Sequence, residues 1–359
     1  MRHLSARAVV SIADPEPIVE AVCAHLAEYD TDIRRDGGTH RIFYDFGSGS
    51  LRALSEAIEL EAEARDISGL FYMRMALAAH LKEFAGAPSP EIVWAGDGDD
   101  IETPPNFRPV SVRTVRDITP HMRRITFAGE GLDRFADDEN LHLGLIIPPE
   151  GGELVWPTVG RDGLLKWDPE RPTPALRRYT VRSCDPAAGT LDIDFVLHDD
   201  AGPGTAFALR AQPGVMAGLA GPVGGSIVRG RDWYLLAGDE TALPAISRFL
   251  EILPADTPGR ALIEVAGPQE EQPIGNGAIT VEWIHRGGDR AGLRLSEAVR
   301  AVEFPPSASS PYVWAACEFN AFKAIRNHLR TERGLKKEDH LVVAYWRQGE
   351  FVDRAPGNE

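Results

Sequence analysis

After Arg231 the chain alternates apolar, strand-like runs with amphipathic stretches of helical period, and this rhythm constrains the fold more than any other feature. Strands are expected at residues 233–237, 260–266, 279–285, 312–316 and 340–346, with helices at 245–253, 295–302 and 319–333. Such an order calls for a parallel sheet with helices on both faces, because a parallel connection has to cross over the sheet. Ligands of these sheets bind beyond the carboxyl ends of the strands. Here those ends fall at residues 238–241, at Gly267-Pro268, at Arg286-Gly287-Gly288, at Cys317-Glu318 and at Arg347.

Upstream the pattern differs. Short alternating runs at 109–117, 122–128, 141–147, 178–182, 190–197 and 215–220, separated by turn residues, predict a small antiparallel barrel. The connection over 148–176 is longer than ordinary ones and carries Pro149, Pro157, Pro169, Pro172 and Pro174, and long ordered loops of this kind often cover a binding site. Residues 6–84 form a self-contained pattern. An alternating run at 6–12 leads through Asp14-Pro15, a cap and a proline, into a helix towards Tyr29. Two strand-like runs, 32–35 and 40–46, join through Gly37-Gly38, the stretch 51–63 has helical or mixed spacing, and 69–84 reads as a helix. His25 and His80 sit on the helices among apolar residues, as core or interface histidines do. Residues 96–105 are acidic, open on glycine and close on prolines, and read as a linker. The expected organisation is therefore multidomain: a small α+β domain at 1–95, a linker at 96–107, an antiparallel β-barrel at 108–229, and an α/β parallel-sheet domain at 230–359.

A net charge of −16 disfavours nucleic acid as a general partner, because phosphate backbones are held by clustered lysine and arginine. An anionic ligand needs a local basic pocket instead. No run reaches the roughly 18 apolar residues of a membrane span, and the N-terminus leads into no apolar signal core, so a cytoplasmic location is expected without membrane insertion. Cys23, Cys184 and Cys317 are widely spaced and outside any CxxC pattern, which predicts no disulfide, structural zinc or iron–sulfur cluster, so that any iron would come with a substrate.

The chemistry-bearing stretch is Arg177-Arg178-Tyr179-Thr180-Val181-Arg182. Arginine offers a planar fork of donors matched to phosphate, tyrosine a flat face, and threonine a hydroxyl that reaches a ring heteroatom. That set suits a flavin nucleotide, and it equally suits an edge strand with solvated charges. Two glycine-bearing turns lie downstream. One runs from His198 through Asp199, Asp200 and Ala201 to Gly202-Pro203-Gly204-Thr205, where small residues let backbone amides approach a pyrophosphate. The other is Gly221-Pro222-Val223-Gly224-Gly225-Ser226. Each alone reads as a structural turn, and no well-placed GxGxxG occurs.

The order and spacing of these features are more specific than any one of them. Arg177-x-Tyr179-Thr180-x-Arg182, His198 with Gly202-Pro203, Gly221-Pro222-x-Gly224, residues 238–246, Trp283-Ile284-His285-Arg286 and Ala344-Tyr345-Trp346-Arg347-x-Gly349 together resemble the siderophore-interacting proteins, FAD-binding ferric-siderophore reductases of the ferredoxin reductase superfamily. The first domain resembles the family known as DUF2218, on its overall pattern and on 70–73 and 80–84. The resemblance implies an FAD-binding barrel, an NAD(P)H-binding α/β domain and reduction of ferric siderophores. It implies that Arg177 and Arg182 meet FAD phosphate or ring-edge groups, that Tyr179 stacks on the isoalloxazine, and that Thr180, with Val181 beside it, reaches the N5 region. His198, Gly202, Pro203, Gly204 and Thr205 would hold the pyrophosphate. Asp239, Glu240 and Thr241 would border flavin and nicotinamide, and Tyr345, Trp346 and Arg347 would line the active face. The chain departs from the family pattern in Ala316-Cys317-Glu318 and Ala344-Tyr345, where glycine is expected before Glu318 and before Tyr345, and at Gly204-Thr205 and Phe207, which stand for Ala-Ser and Trp.

The activity so implied passes electrons from NAD(P)H or a ferredoxin through flavin to Fe(III), releasing Fe(II). No residue is assigned as catalytic in the sense of acid, base or nucleophile. Ferric siderophores are often anionic, and Arg161, Arg178 and Arg347 are the candidate cations for them. The other functions weighed are a general flavin reductase or electron-transfer component, and a non-catalytic siderophore- or flavin-binding carrier.

Overall fold

The computed structural model describes residues 3–28, 31–152, 154–198, 202–225, 228–275 and 277–349. The chain forms two compact units. Of the described residues, one comprises those up to Phe107 together with Pro149–Thr173, and the other Arg108–Pro148 together with those from Pro174 to Gly349.

The first unit opens with β1 (Leu4–Ser11), α1 (Pro15–Glu28), β2 (Asp32–Asp36), β3 (Thr39–Tyr44), β4 (Gly47–Ala53), β5 (Ala57–Ala64), α2 (Ile67–Ala85) and the two-residue β6 (Ala95–Gly96). The strands make one sheet in the order β2-β3-β4-β5-β1-β6. Alternation along β1 turns Ala6, Ala8 and Val10 inward, where they meet Leu70, Met73 and Leu81 of α2 in one core. Asp66 starts α2 by accepting a hydrogen bond from Gly69 N at 2.9 Å, a cap worth about 1 kcal/mol. The stretch 51–63, expected to have helical or mixed spacing, is instead strand on both sides of a turn. Ala, Glu and Leu favour helix there, but 57–64 also alternates with period two, and pairing with β4 and β1 decides the outcome. The expected linker is tied down at its start: Ala95 and Gly96 pair with Arg7 and Ala6, and Asp97 and Ser5 exchange two hydrogen bonds of 2.9 Å.

The second unit begins at Arg108, one residue into β7 (Phe107–Thr119), and continues with β8 (Met122–Ala128) and β9 (His142–Ile147). The chain then makes an excursion, 149–173, carrying the short pair β10 (Thr158–Val159) and β11 (Leu165–Lys166), and this segment belongs to the first unit. It returns as β12 (Ala175–Thr180), β13 (Ser183–Asp185), β14 (Thr190–Val196), α3 (Pro203–Arg210) and β15 (Met216–Val223). The sheet order is β12-β9-β15-β7-β8-β14-β13. Arg182 N donates to Asp192 O at 2.9 Å and the Tyr179 and Phe195 rings meet at 4.5 Å, so the two ends of the sheet approach and it curls into a barrel. Phe127, Phe195 and Phe207 are fully buried inside, each worth about 1.5–3 kcal/mol of burial.

The α/β part runs β16 (Trp233–Asp239), α4 (Leu243–Ile252), β17 (Gly259–Val265), β18 (Ile279–His285), α5 (Leu293–Ala301), β19 (Pro311–Glu318), α6 (Phe319–Asn327), a π-helical turn at His328–Glu332, and β20 (His340–Trp346). All its strand pairings are parallel, in the order β18-β17-β16-β19-β20. Helix α4 covers one face, with Ile246 and Phe249 against Tyr234, Leu236 and Trp314. Helices α5 and α6 cover the other, with Leu295, Ala321 and Ile325 against Leu235, Val313 and Ala315. The order reverses between β16 and β19, which makes that gap the topological switch point. No helix is long and apolar enough to cross a membrane among the described residues.

Candidate functional site

Strand β12 pairs with β9 so that Arg178 lies opposite Gly144, Tyr179 opposite Leu143 and Thr180 opposite His142. Side chains alternate along a strand, so Tyr179 shares a face with Leu143 of the barrel core, while Arg178 and Thr180 share the opposite face with His142. Tyr179 packs on Phe195, and burial pushes its phenol well above the usual tyrosine range. Its hydroxyl lies over Gly204 at the start of α3. A Cβ there would collide with Tyr179 Oη, so glycine is what lets strand and helix approach.

His142 Nε2 and Tyr345 Oη are 2.7 Å apart, which ties the end of β20 to the barrel. Burial pushes the imidazole down to about 4, assisted by Arg178 and Arg248, so His142 is neutral, with one N–H and one acceptor nitrogen. Gly224 lies against it: its φ is +92°, and a Cβ would come 2.7 Å from His142 Nδ1.

Asp239, fully buried at the end of β16, occupies the switch point. Its Oδ1 accepts from Thr241 N at 3.0 Å and Thr241 Oγ1 at 2.5 Å; its Oδ2 accepts from Glu318 N at 2.9 Å and Trp346 Nε1 at 2.8 Å. One carboxylate thus joins the carboxyl ends of β16, β19 and β20. Burial and the neighbouring Glu240 push it up to about 7, against the pull of its donors. Glu318, also fully buried, caps α6 by accepting from Asn320 N at 2.6 Å.

A second charged cluster stands beside it. Arg286 donates to both oxygens of Glu240 at 2.6 and 3.0 Å and to Glu264 at 3.3 Å, and these carboxylates hold the guanidinium firmly protonated. Glu264 also accepts from Gly292 N at 2.7 Å and Leu295 N at 3.0 Å, at the N-terminus of α5. Glu240 and Arg286 line a cleft of about 570 Å3 with Thr119, His121, Val196, His198 and Glu270. On one rim Glu270 accepts from Thr119 Oγ1 at 2.5 Å and is 2.8 Å from His121 Nδ1.

The structure therefore brings Thr180, Asp239, Thr241, Tyr345 and Trp346 into one hydrogen-bonded or closely packed region, and sets Glu240 and His198 on the cleft. Val181 is buried, and its carbonyl accepts from Arg248 at 2.8 Å. Arg182 is engaged by Glu251 at 2.6 and 3.1 Å, Arg177 donates to Leu176 O at 2.8 Å, and Thr205 Oγ1 donates to Val196 O at 3.1 Å. Arg178 is exposed. The Arg347 guanidinium lies 4.6 Å from the centre of the Phe319 ring. Arg161 is in the first compact unit, where its carbonyl accepts from Trp94 N at 3.2 Å. Asp199, Asp200 and Ala201 of the His198 turn, and Ser226 of the later loop, lie outside the described residues. Sequence reading passed over His142, Glu264 and Glu270, and named Glu318 only as a strand end. His142 stands in an apolar run as its only polar side chain, and that was the available signal.

The residues present fit an FAD. Gly202 gives α3 no side-chain cap and Pro203 follows it, an opening that suits a phosphate. Gly204 and Gly224 leave room that a Cβ would fill, one beside Tyr179 and one beside His142.

Comparison with known proteins agrees with this geometry. Residues 111–226 match the model of the siderophore-interacting FAD-binding domain, 231–349 that of the siderophore-interacting protein, and 7–95 that of an uncharacterized protein conserved in bacteria, DUF2218. A ferric vibriobactin reductase of Vibrio cholerae is 31% identical over 235 residues, spanning 65% of this chain and 86% of that protein. The siderophore utilization protein from T. fusca superposes with a TM-score of 0.60 at 39% identity, over 71% of this chain and 98% of that one. The siderophore-interacting protein SipS from Aeromonas hydrophila gives 0.59 at 28% identity, over 68% and 93%. With a barrel and a parallel-sheet domain matching along nearly the whole length of such relatives, and a DUF2218 domain ahead of them, the chain belongs to the siderophore-interacting protein family.

Proposed function

We propose that the protein is an FAD-dependent reductase of ferric siderophores, releasing iron as Fe(II). The observation that carries the reading is the junction of β9 and β12 with the ends of β16 and β20, made by His142, Thr180, Asp239, Tyr345 and Trp346, inside a chain with a siderophore-interacting FAD-binding domain. The similarity to a ferric vibriobactin reductase supports the substrate class.

Flavin takes electrons singly or in pairs, which matches a two-electron donor to one-electron ferric iron. The uncapped first turn of α3 and Arg177 would hold its phosphates, and Thr180 would face its ring, with Tyr179 behind the strand against Phe195 and Gly204. Neutral His142 keeps Tyr345 in place without adding charge. Asp239 orients Trp346 and Thr241 by accepting their hydrogen bonds. Arg178 and Arg347 are the cations on this unit that would meet an anionic chelate. Iron is held by the siderophore's own hard oxygen donors, and reduction weakens that hold.

NAD(P)H is the donor expected from the family. Electron supply by a ferredoxin is the other donor weighed. The test is to load the full chain with FAD, offer NADH, NADPH and reduced ferredoxin separately, and follow Fe(II) release from ferric catecholate and hydroxamate chelates. Fe(II) production with one donor is expected. A protein that takes up no FAD, or a flavoprotein that reduces neither chelate with any donor, overturns the proposal.

A further inference from the structure

The cleft of about 570 Å3 lies beyond the carboxyl ends of three neighbouring strands: Glu240 follows β16, Val265 and Ala266 stand at the end of β17, and Arg286 follows β18. In a parallel sheet of the order β18-β17-β16-β19-β20 that is where a dinucleotide binds, and the volume falls within the roughly 300–1,000 Å3 of small-molecule sites. Such sheets choose between the two nicotinamide dinucleotides at the ribose. A carboxylate accepts from a free 2′-hydroxyl, whereas an arginine takes a 2′-phosphate. Both side-chain types stand together here.

Among the described residues, Arg286 is the one lysine or arginine that lines the cleft, against the carboxylates of Glu240 and Glu270. Its end-on fork is already taken: Nη1 and Nη2 donate to the two oxygens of Glu240 at 3.0 and 2.6 Å, and Nη1 also donates to Glu264 at 3.3 Å. Glu264 is held in place in turn, fully buried and bonded to the amides of Gly292 and Leu295. The two carboxylates outweigh the single guanidinium. A phosphate recognises arginine through the same paired donors, and a phosphomonoester brings up to about two negative charges of its own beside Glu240 and Glu270. A ribose hydroxyl meets no such conflict. Each oxygen of Glu240 keeps a lone pair beyond the one Arg286 uses, and the Gln272 amide on the same cleft adds donors and an acceptor.

We infer that the cleft selects an adenine dinucleotide with a free 2′-hydroxyl, NADH over NADPH, and that Glu240, by occupying the fork of Arg286, sets this choice. The inference deepens the nucleotide-donor reading above and rests on it. Glu264 and Arg286 act as positioning residues: Glu264 fixes the guanidinium, and the guanidinium holds Glu240 at the cleft.

The experiment uses the full-length chain as wild type, Glu240→Gln and Glu270→Gln, titrated calorimetrically with ADP-ribose and with its 2′-phosphate. This readout needs no turnover. Wild type should bind ADP-ribose about tenfold more tightly than the phosphorylated probe, because like charge at a site is what excludes the wrong ligand. Raised salt should narrow that ratio. Glu240→Gln keeps the shape and removes the charge, and should narrow the ratio by about tenfold, chiefly through tighter binding of the phosphorylated probe. Glu270→Gln should narrow it by less, and with the wild-type ratio it carries the test if Glu240→Gln does not fold. A merely structural role for Glu240 would weaken both probes alike. Wild type that prefers the phosphorylated probe, or a folded Glu240→Gln with an unchanged ratio, overturns the inference. A chain that binds neither probe yet releases Fe(II) with reduced ferredoxin also overturns it and leaves the FAD reductase reading standing. A chain that binds ADP-ribose selectively but takes up no FAD upholds the ribose choice and sinks the flavin reading.

Discussion

His142 Nε2 and Tyr345 Oη, 203 residues apart in sequence, are 2.7 Å apart in space, and this hydrogen bond fastens the last strand of the parallel sheet to the barrel. Tyr345→Phe removes the hydroxyl and leaves a buried imidazole nitrogen unpaired. The expected cost is about 1–3 kcal/mol in urea unfolding. His142→Gln, which keeps one donor and one acceptor, should recover part of that loss when combined with Tyr345→Phe; strictly additive losses would show that the two side chains are not coupled.

The same pair makes stability depend on pH, in opposition to Asp239. His142 falls from 6.5 unfolded to about 4 folded, so between those values the unfolded chain binds more protons and stability rises with pH. The difference is on the order of 3 kcal/mol, present above pH 6.5 and lost as pH falls towards 4. Asp239 goes from 3.8 to about 7, so the folded chain binds more protons and stability falls with pH over that window. Relative to wild type, His142→Gln should therefore lose stability more steeply as pH rises from 4.5 to 6.5. Asp239→Asn should gain it more steeply. Unfolding measured at three pH values across this range checks both signs.

Gly204→Ala places a methyl group against Tyr179 Oη, and Gly224→Ala places one against His142 Nδ1 on a backbone with φ of +92°. Overpacking of this sort costs about 1–3 kcal/mol, and the positive φ adds to it at Gly224. Both variants should bind FAD at least tenfold more weakly, measured by fluorescence titration. Wild-type affinity in either would remove the close approach from the account of the site.

Glu264→Ala leaves Arg286 with Glu240 alone and strands the amides of Gly292 and Leu295. Losing one partner of a buried charge cluster costs about 3–5 kcal/mol. Glu264→Gln, which still accepts at one oxygen, should cost less than half of that. Thermal unfolding followed by near-ultraviolet circular dichroism separates the two.

The α/β rhythm after Arg231 was legible because buried strands and amphipathic helices write their periods into adjacent residues, and the family was legible because the spacing of Arg177-x-Tyr179-Thr180 and the turns after it matches it. His142 was not, since its significance comes from Tyr345 and Gly224, both remote in sequence. The strand at 57–64 was obscured because helix-forming residue types fill a period-two pattern, and only the pairing partners choose between them. Which unit holds the excursion was not legible, for a related reason. Its prolines announce an ordered loop, but Lys82 and Trp94, which say what orders it, stand before the barrel has begun.

The return of residues 149–173 to the first unit also bears on how the protein is made. Synthesis delivers the N-terminal sheet and helices first, yet Lys82 and Trp94 must wait for Asp162, and by then β7, β8 and β9 have already left the ribosome. The two units cannot mature one after the other. The barrel is started before the first unit is finished, and the first unit is closed by a piece spun out of the middle of the second.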